Sequence, residues 1–291
     1  MTAITPLTKF MEPLHGLDPR RRTRIMAILN ATPDSFSDGG KVPAESASKA
    51  IYDFKTDVWS TIIDVGGQST APGVKEDSAD EETKRVVTTI EEITNAFGEL
   101  SISVDTYRAS VAVATIKAGA SIINDVSAGA MDPDMVPTMA RLGVTVILMH
   151  MRGTPQTMSA LTSYPSGLIP TIAKELLARV AAAEAAGVRR WRIILDPGIG
   201  FAKTAEQNCE ILRRLDELRD GPGLRGLPWL VGSSRKSFIG RATGVVKPSE
   251  GAWGTAATVA AAVQGGADVV RVHDVCEMEK VVKMADFIWR G

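Results

Sequence analysis

Eight short β-rich runs, RIMAILN, TIIDVG, SISVDT, SIINDV, VTVILMH, RIILDP, WLVGS and VVRVHD, alternate along the chain with longer segments of helical period. That alternation restricts the chain to a parallel α/β architecture. The first run shows the type. Ile25, Met26, Ala27, Ile28 and Leu29 are apolar without alternation, as in a strand covered on both faces, and Asn30 closes it. The plainest helical segment is 168–186, where Leu168, Ile172, Leu176, Val180 and Ala183 step along one face before Gly187 offers a stop. Segments 44–55, 81–97, 108–118, 204–219 and 250–265 behave similarly. Eight βα units in 291 residues suit a closed barrel. An open doubly wound sheet usually has fewer strands and a Gly-rich phosphate loop after the first. The chain is therefore read as α/β, a single-domain (β/α)8 TIM barrel over 24–291, with 1–23 as an N-terminal extension or linker.

Charge narrows the class of partner. Lys and Arg number 33 against 34 Asp and Glu, and the one basic cluster, DPRRRTR, reads as a solvated lead-in, so no nucleic-acid partner is expected. Cys209 and Cys276 have neither metal spacing nor a paired pattern and read as reduced thiols of an intracellular, cytoplasmic protein. The first residues lack the apolar run of a signal peptide, and the most apolar later stretch, 255–272, is interrupted by Gln264 and Asp268, so no membrane span is expected.

Function is carried by where the polar residues fall. Asn30, Asp64, Asp105, Asn124, His150, Asp196, Arg271 and His273 each stand at or just past the carboxyl end of an expected strand, the face on which barrel enzymes build their sites. Singly, each has a plainer reading: Asp105 as a cap for the helix near Arg108, or Asp196 with Pro197 and Gly198 as a turn. Two residues apart, Arg271 and His273 face the same side, and barrel closure sets Asn30 beside them, which makes an anion site. Asp105, Asn124 and Asp196, with Lys236 arriving after the seventh strand, suit the N–H donors and mixed edge of a flat heterocycle. After Asn30, a turn-rich loop carrying the aromatic Phe36 reads as one that closes over a ligand. Divalent-metal ligation by Asp64, Asp105, Asp196 and His273 is a minority reading. GIGFAKT only faintly imitates a phosphate loop, and GSSRKS has no nucleophile elbow.

The motifs LNATPDSFSDGG, IIDVGGQST, SVDTYR, INDVSAG, LMHMRGTPQTM, ILDPGIGF, GSSRKSFIG and VRVHD, in that order, resemble the dihydropteroate synthase family, in particular the last domain of fungal multifunctional folate-synthesis enzymes. The resemblance implies condensation of 6-hydroxymethyl-7,8-dihydropterin diphosphate with 4-aminobenzoate, giving 7,8-dihydropteroate and diphosphate, with Mg2+ present. It makes Asp105, Asn124 and Asp196 the pterin readers, with Val126 and Met149 lining the pocket and Lys236 beside the ring; Lys236, Asp105 and Asp196 take the catalytic roles. Asn30 would meet the diphosphate and its magnesium, and Arg271 with His273 would hold the leaving group. Phe201, Gly232, Ser237, Thr70, Pro72 and Phe36 would complete the substrate slots. The resemblance also implies early C–O cleavage without a covalent enzyme intermediate, and a homodimer. A longer parent protein entering mitochondria is compatible with it.

One departure bears on rate. In Ser69-Thr70-Ala71-Pro72-Gly73, Ala71 stands where the family usually has an Arg that helps neutralise diphosphate. Losing such a charged hydrogen bond is worth about 1.5–3 kcal/mol, or roughly ten- to a hundred-fold in rate. Arg152 and Lys75 are candidates to compensate. Gln68, where many relatives have Glu, is a milder change. Ala71 motivates a second reading, a pterin-binding domain with weak or no catalysis. A methyltransferase of the related pterin-binding barrels is a third, disfavoured by the anion site of Asn30, Arg271 and His273.

Overall fold

In a computed structural model of the chain, the described residues are 22–31, 61–68, 77–98 and 100–291. Eight strands form one parallel sheet: β1 (Arg24–Asn30), β2 (Thr61–Gly66), β3 (Ser101–Asp105), β4 (Ile122–Asp125), β5 (Thr145–Met149), β6 (Ile193–Asp196), β7 (Leu230–Val231) and β8 (Val269–Val272). Their order is β6-β5-β4-β3-β2-β1-β8-β7. Between β6 and β7 the ring closes through the parallel bridge Leu195↔Trp229 and the bond from Leu195 N to Pro228 O at 2.9 Å. This is a (β/α)8 barrel, with every expected strand in place. The expected helix over 44–55 lies outside the described residues.

Strand parity sorts the core. Met26, Ile62, Ile122, Ile147, Ile194, Leu230 and Val269 form a separate buried cluster, the floor inside the barrel. Their neighbours Ile25, Ala27, Ile63, Ile123, Val146, Leu148, Ile193, Leu195, Val231 and Val270 belong to the larger cluster shared with the helices. Both sides of each strand are thus apolar, which is why the runs show no alternation. A fully buried side chain of this kind contributes roughly 1.5–3 kcal/mol.

Helices among the described residues are α1 (Ala79–Phe97), α2 (Ala109–Ala118), α3 (Met135–Leu142), α4 (Leu168–Ala185), α5 (Ala205–Arg213), α6 (Leu215–Arg219), α7 (Ser237–Thr243), α8 (Ala252–Gln264) and α9 (Val275–Trp289). On α4, Leu168, Ile172, Leu176, Val180 and Ala183 are all buried, the face that the spacing predicts. Capping boxes, Ser78 with Glu81 and Thr204 with Gln207, start α1 and α5. The segment 204–219, expected as one helix, is two. At Arg214 the backbone, with φ −123° and ψ 26°, leaves the helical basin, while its side chain pairs with Glu210 and Glu217 on either side of the break. No helix among the described residues is long and apolar enough to cross a membrane.

Candidate active site

Two residues beyond the barrel floor, the inward positions turn polar. Asp64 follows Ile62, Asn124 follows Ile122, Asp196 follows Ile194 and Arg271 follows Val269, while Met149 and Gly232 continue the columns of Ile147 and Leu230. Asp105 follows the buried Ser103 on β3. Asn30, Gly66 and His273 come one step nearer the rim. A Cβ on Gly66 would lie 3.6 Å from Asp105 Cβ and 3.9 Å from both Asn30 Oδ1 and Asp105 Oδ2, so this glycine separates the two oxygen donors without filling the space.

Asp64 is the hub of the polar layer. Fully buried, its Oδ2 accepts from Asn124 Nδ2 at 3.0 Å and from Arg271 Nε at 2.6 Å. Arg271 Nη2 donates to Asp105 Oδ2 at 2.7 Å. With its amide nitrogen engaged, Asn124 keeps its carbonyl oxygen as an acceptor. Burial pushes the Asp105 carboxyl up to about 7, against the pull of Arg271. Burial works against the charge on Arg271 too, but Asp64 and Asp105 outweigh it and hold the guanidinium above its ordinary value.

A second group gathers around β6 and β7. Asp196 Oδ1 accepts from Gly198 N at 2.7 Å, and burial raises its carboxyl despite the opposing charge of Lys236. Lys236 Nζ donates to the Ile199 carbonyl and lies 4.3 Å from the Phe201 ring centroid, a cation–π contact. Burial brings Lys236 down to about 8. Val126, Met149 and Phe201 form an apolar wall with Tyr107, Met131, Met151, Met158 and Ala202. At β8, Ser234 Oγ accepts from His273 N at 3.2 Å and lies 3.0 Å from His273 Nδ1. Burial and the charges of Arg235 and Arg271 lower His273 to about 4, so at pH 7 the ring is neutral.

The structure places four residues differently from the expectation drawn from the sequence. Arg271 does not stand apart with His273 in an anion site; it is bonded to the carboxylates of the heterocycle group, because Asp64, Asp105 and Arg271 all point to the barrel axis. His150 does not face the mouth. Met149 is the inward residue, so His150 points outward, where Nε2 is 2.8 Å from Glu175 Oε2. Arg152 is not free to replace the Arg missing at position 71, since it clamps Glu175 and donates to Ser163 O at 2.7 Å. Asp105 is not a helix cap either: Ala109 N at the start of α2 donates to Asp132 at 2.7 Å. The turn reading of Asp196 is half right, since one oxygen holds Gly198 and the other remains. Gly232 stands against Arg271, its missing Cβ 3.6 Å from Arg271 Cβ, and Ser237 is exposed at the first position of α7. Phe36, Thr70, Ala71, Pro72 and Lys75 lie outside the described residues. Asp64, placed by sequence only among strand ends and possible metal ligands, proves to be the anchor; counting two on from Ile62 would have found it.

A family model described as pterin binding enzyme matches residues 26–273. The Pneumocystis carinii folic acid synthesis protein fol1 is 48% identical over 268 residues, covering 92% of this chain but 36% of fol1. The chain thus spans about a third of the length of that relative. A dihydropteroate synthase of Synechocystis is 47% identical, covering 93% of this chain and 91% of the relative. Among solved structures, a Clostridium difficile dihydropteroate synthase crystallised in the presence of pteroic acid superposes with a TM-score of 0.83 at 38% identity, over 94% of this chain and 98% of that one.

Proposed function

The chain belongs to the pterin-binding enzymes and, among them, to the dihydropteroate synthase family, and from that premise we propose that it joins 6-hydroxymethyl-7,8-dihydropterin diphosphate to 4-aminobenzoate. The observation that carries the proposal is the set Asp105, Asn124 and Asp196, three acceptors facing the barrel interior from β3, β4 and β6, with Met149 of β5 between the last two. Adjacent N–H donors of a pterin favour the charged form of a buried carboxyl, which burial alone disfavours, so the site selects for such an edge. The Met-rich wall offers the ring faces an adaptable apolar surface.

In the reaction, the amine lone pair of 4-aminobenzoate forms a C–N bond to the pterin methylene carbon. The C–O bond breaks, its electrons leave with diphosphate, and the amine sheds one proton. Asp105 and Asp196 stabilise positive charge that builds on the pterin as the bond breaks. Arg271 has spent two of its five N–H groups on Asp64 and Asp105. Its other N–H groups, with neutral His273 as a further donor, hold the departing diphosphate. Phe201, Ser237 and, outside the described residues, Phe36, Thr70 and Pro72 flank the aminobenzoate.

Mg2+ belongs to the same proposal. Asn30 Oδ1 and the Asp105 carboxylate flank the space at Gly66, a sparse oxygen set of the kind that suits a hard cation whose remaining ligands are waters and substrate phosphates. Asn30 would hold the ion, which when bound neutralises the leaving group. A homodimer is proposed on the outer apolar face of α9. An intracellular location, cytosolic or mitochondrial, goes with Cys209 and Cys276 not being joined in a disulfide.

Calorimetry and turnover test the proposal together. The wild type is expected to form dihydropteroate from both substrates, and Asp196→Ala to weaken dihydropterin diphosphate binding roughly ten- to a hundred-fold. Unchanged affinity would sink the assignment. Binding without product would instead favour the pterin-binding domain.

A further inference from the structure

Behind the candidate site lies a polar circuit, buried at His150 and Lys203 and reaching the surface at Arg152 and Glu175, that the proposed chemistry does not use. Lys203, barely exposed, donates to His150 Nδ1 at 3.0 Å, to the His150 carbonyl at 3.4 Å and to the Phe201 carbonyl at 2.9 Å. A carboxylate only accepts, so the imidazole proton sits on Nε2, directed at Glu175 Oε2 at 2.8 Å, and Nδ1 is the acceptor for Lys203. Arg152 grips Glu175 through Nη2 at 2.6 Å and Nε at 3.1 Å. The Arg152 guanidinium lies 4.2 Å from the Tyr164 ring centroid, and the Tyr164 hydroxyl donates to the Ala202 carbonyl at 3.0 Å. The circuit therefore leaves residues 201–202 through one carbonyl and returns to them through the next.

Those carbonyls belong to the loop that carries Phe201. On its front side the loop is held by Lys236, which donates to the Ile199 carbonyl and covers the Phe201 ring. Ala202 takes φ 49°, a left-handed backbone that a residue with a Cβ adopts only when its surroundings impose it. The pterin side has its own anchor, the Gly198 N to Asp196 bond at 2.7 Å. We infer that Lys203, His150, Glu175, Arg152 and Tyr164 are positioning residues that fix the Phe201–Ala202 segment from behind, and so set affinity for the aromatic amine in preference to the pterin. The inference rests on the reading of Phe201 as the aminobenzoate wall.

Steady-state kinetics with each substrate varied in turn provides the test, on wild type, Lys203→Met and Tyr164→Phe. Tyr164→Phe removes one hydroxyl from a half-buried ring and keeps the question open should Lys203→Met fail to fold. KM for 4-aminobenzoate is expected to rise about tenfold in Lys203→Met and about threefold in Tyr164→Phe. KM for dihydropterin diphosphate and kcat should stay within about twofold, because an interaction that only orients the amine is felt in its binding. Equal rises in both KM values, or no rise in either variant, would overturn the inference alone. A wild type that forms no product overturns the functional reading and this inference with it.

Discussion

Asp64, His150 and Met149 show what a single position decides. On a strand, one step along the chain moves a side chain from the barrel axis to the helical layer. The inward columns were legible because the apolar floor and the polar layer share one parity, as in Ile194 and Asp196. His150 was misplaced because being at a strand end was counted without its parity, although Met149 already occupied the inward place. Bonding among inward residues was less legible: nothing in the spacing says that Arg271 spends two donors on Asp64 and Asp105, since those partners come from strands far apart in sequence. The outward histidine has a consequence in acid. Hydrogen bonding from His150 holds the Glu175 carboxyl down to about 2, with Arg152 adding to it. A carboxyl held below its ordinary 4.5 favours the folded state above that pH, and the advantage fades as pH falls toward 2. His150, lowered by burial to about 4, adds in the same sense, since the unfolded ring takes a proton below 6.5 while the folded one resists. Thermal unfolding of wild type and Glu175→Gln from pH 7 to pH 3 should show a stability gap that is constant above about pH 5 and narrows below it. A gap that widens in acid would contradict this pairing.

Loops after β4, β6 and β7 carry Ala128 at φ 50°, Ala202 at φ 49° and Arg235 at φ 58°, three non-glycine residues in the left-handed region. All three follow carboxyl ends of strands. Strain at that face is where a barrel holds function, and it persists because side chains around it over-determine the backbone. Arg235 shows how: its N–H donates to Thr255 Oγ1 at 3.3 Å and its guanidinium pairs with Asp274. Regular elements were easier to foresee than these turns, because α4 and the strands declare themselves through periodicity. Left-handed alanine and arginine contradict local preference and follow only from tertiary contacts. Gly198 is the sharpest case. With φ +70°, a Cβ there would collide with the His150 carbonyl oxygen, the same carbonyl that Lys203 bonds. Gly198→Ala is expected to cost at least about 1–2 kcal/mol from the backbone alone. Distortion of the turn itself should also slow turnover, because Asp196 and Phe201 sit on either side of it. Denaturant unfolding beside the turnover assay checks both. A variant of wild-type stability and rate would show that the turn relaxes freely.

For the molecule as a whole, α9 is where folding and the proposed assembly meet. Its inner side, Val275, Met278, Val282 and Ala285, is buried against the barrel. Asp286 ties it to the start of β1, accepting from Thr23 N at 2.8 Å and Thr23 Oγ1 at 2.7 Å. The outer side presents Met284, Phe287 and Ile288, spaced i, i+3 and i+4, with Phe287 75% exposed. A surface helix of a monomer pairs one apolar stripe with a polar face; α9 has two apolar stripes, and the outer one is exposed among the described residues. Large apolar side chains grouped in this way suit an interface, and the proposed second copy would cover them most simply because a two-fold axis lets one self-complementary stripe serve both partners. The site does not depend on that face, since the polar layer lies inside the barrel. Phe287→Asp should therefore convert dimer to monomer in sedimentation velocity while leaving dihydropterin diphosphate affinity within about twofold. A wild type that sediments as a monomer at tens of micromolar would show that the stripe serves something other than self-association.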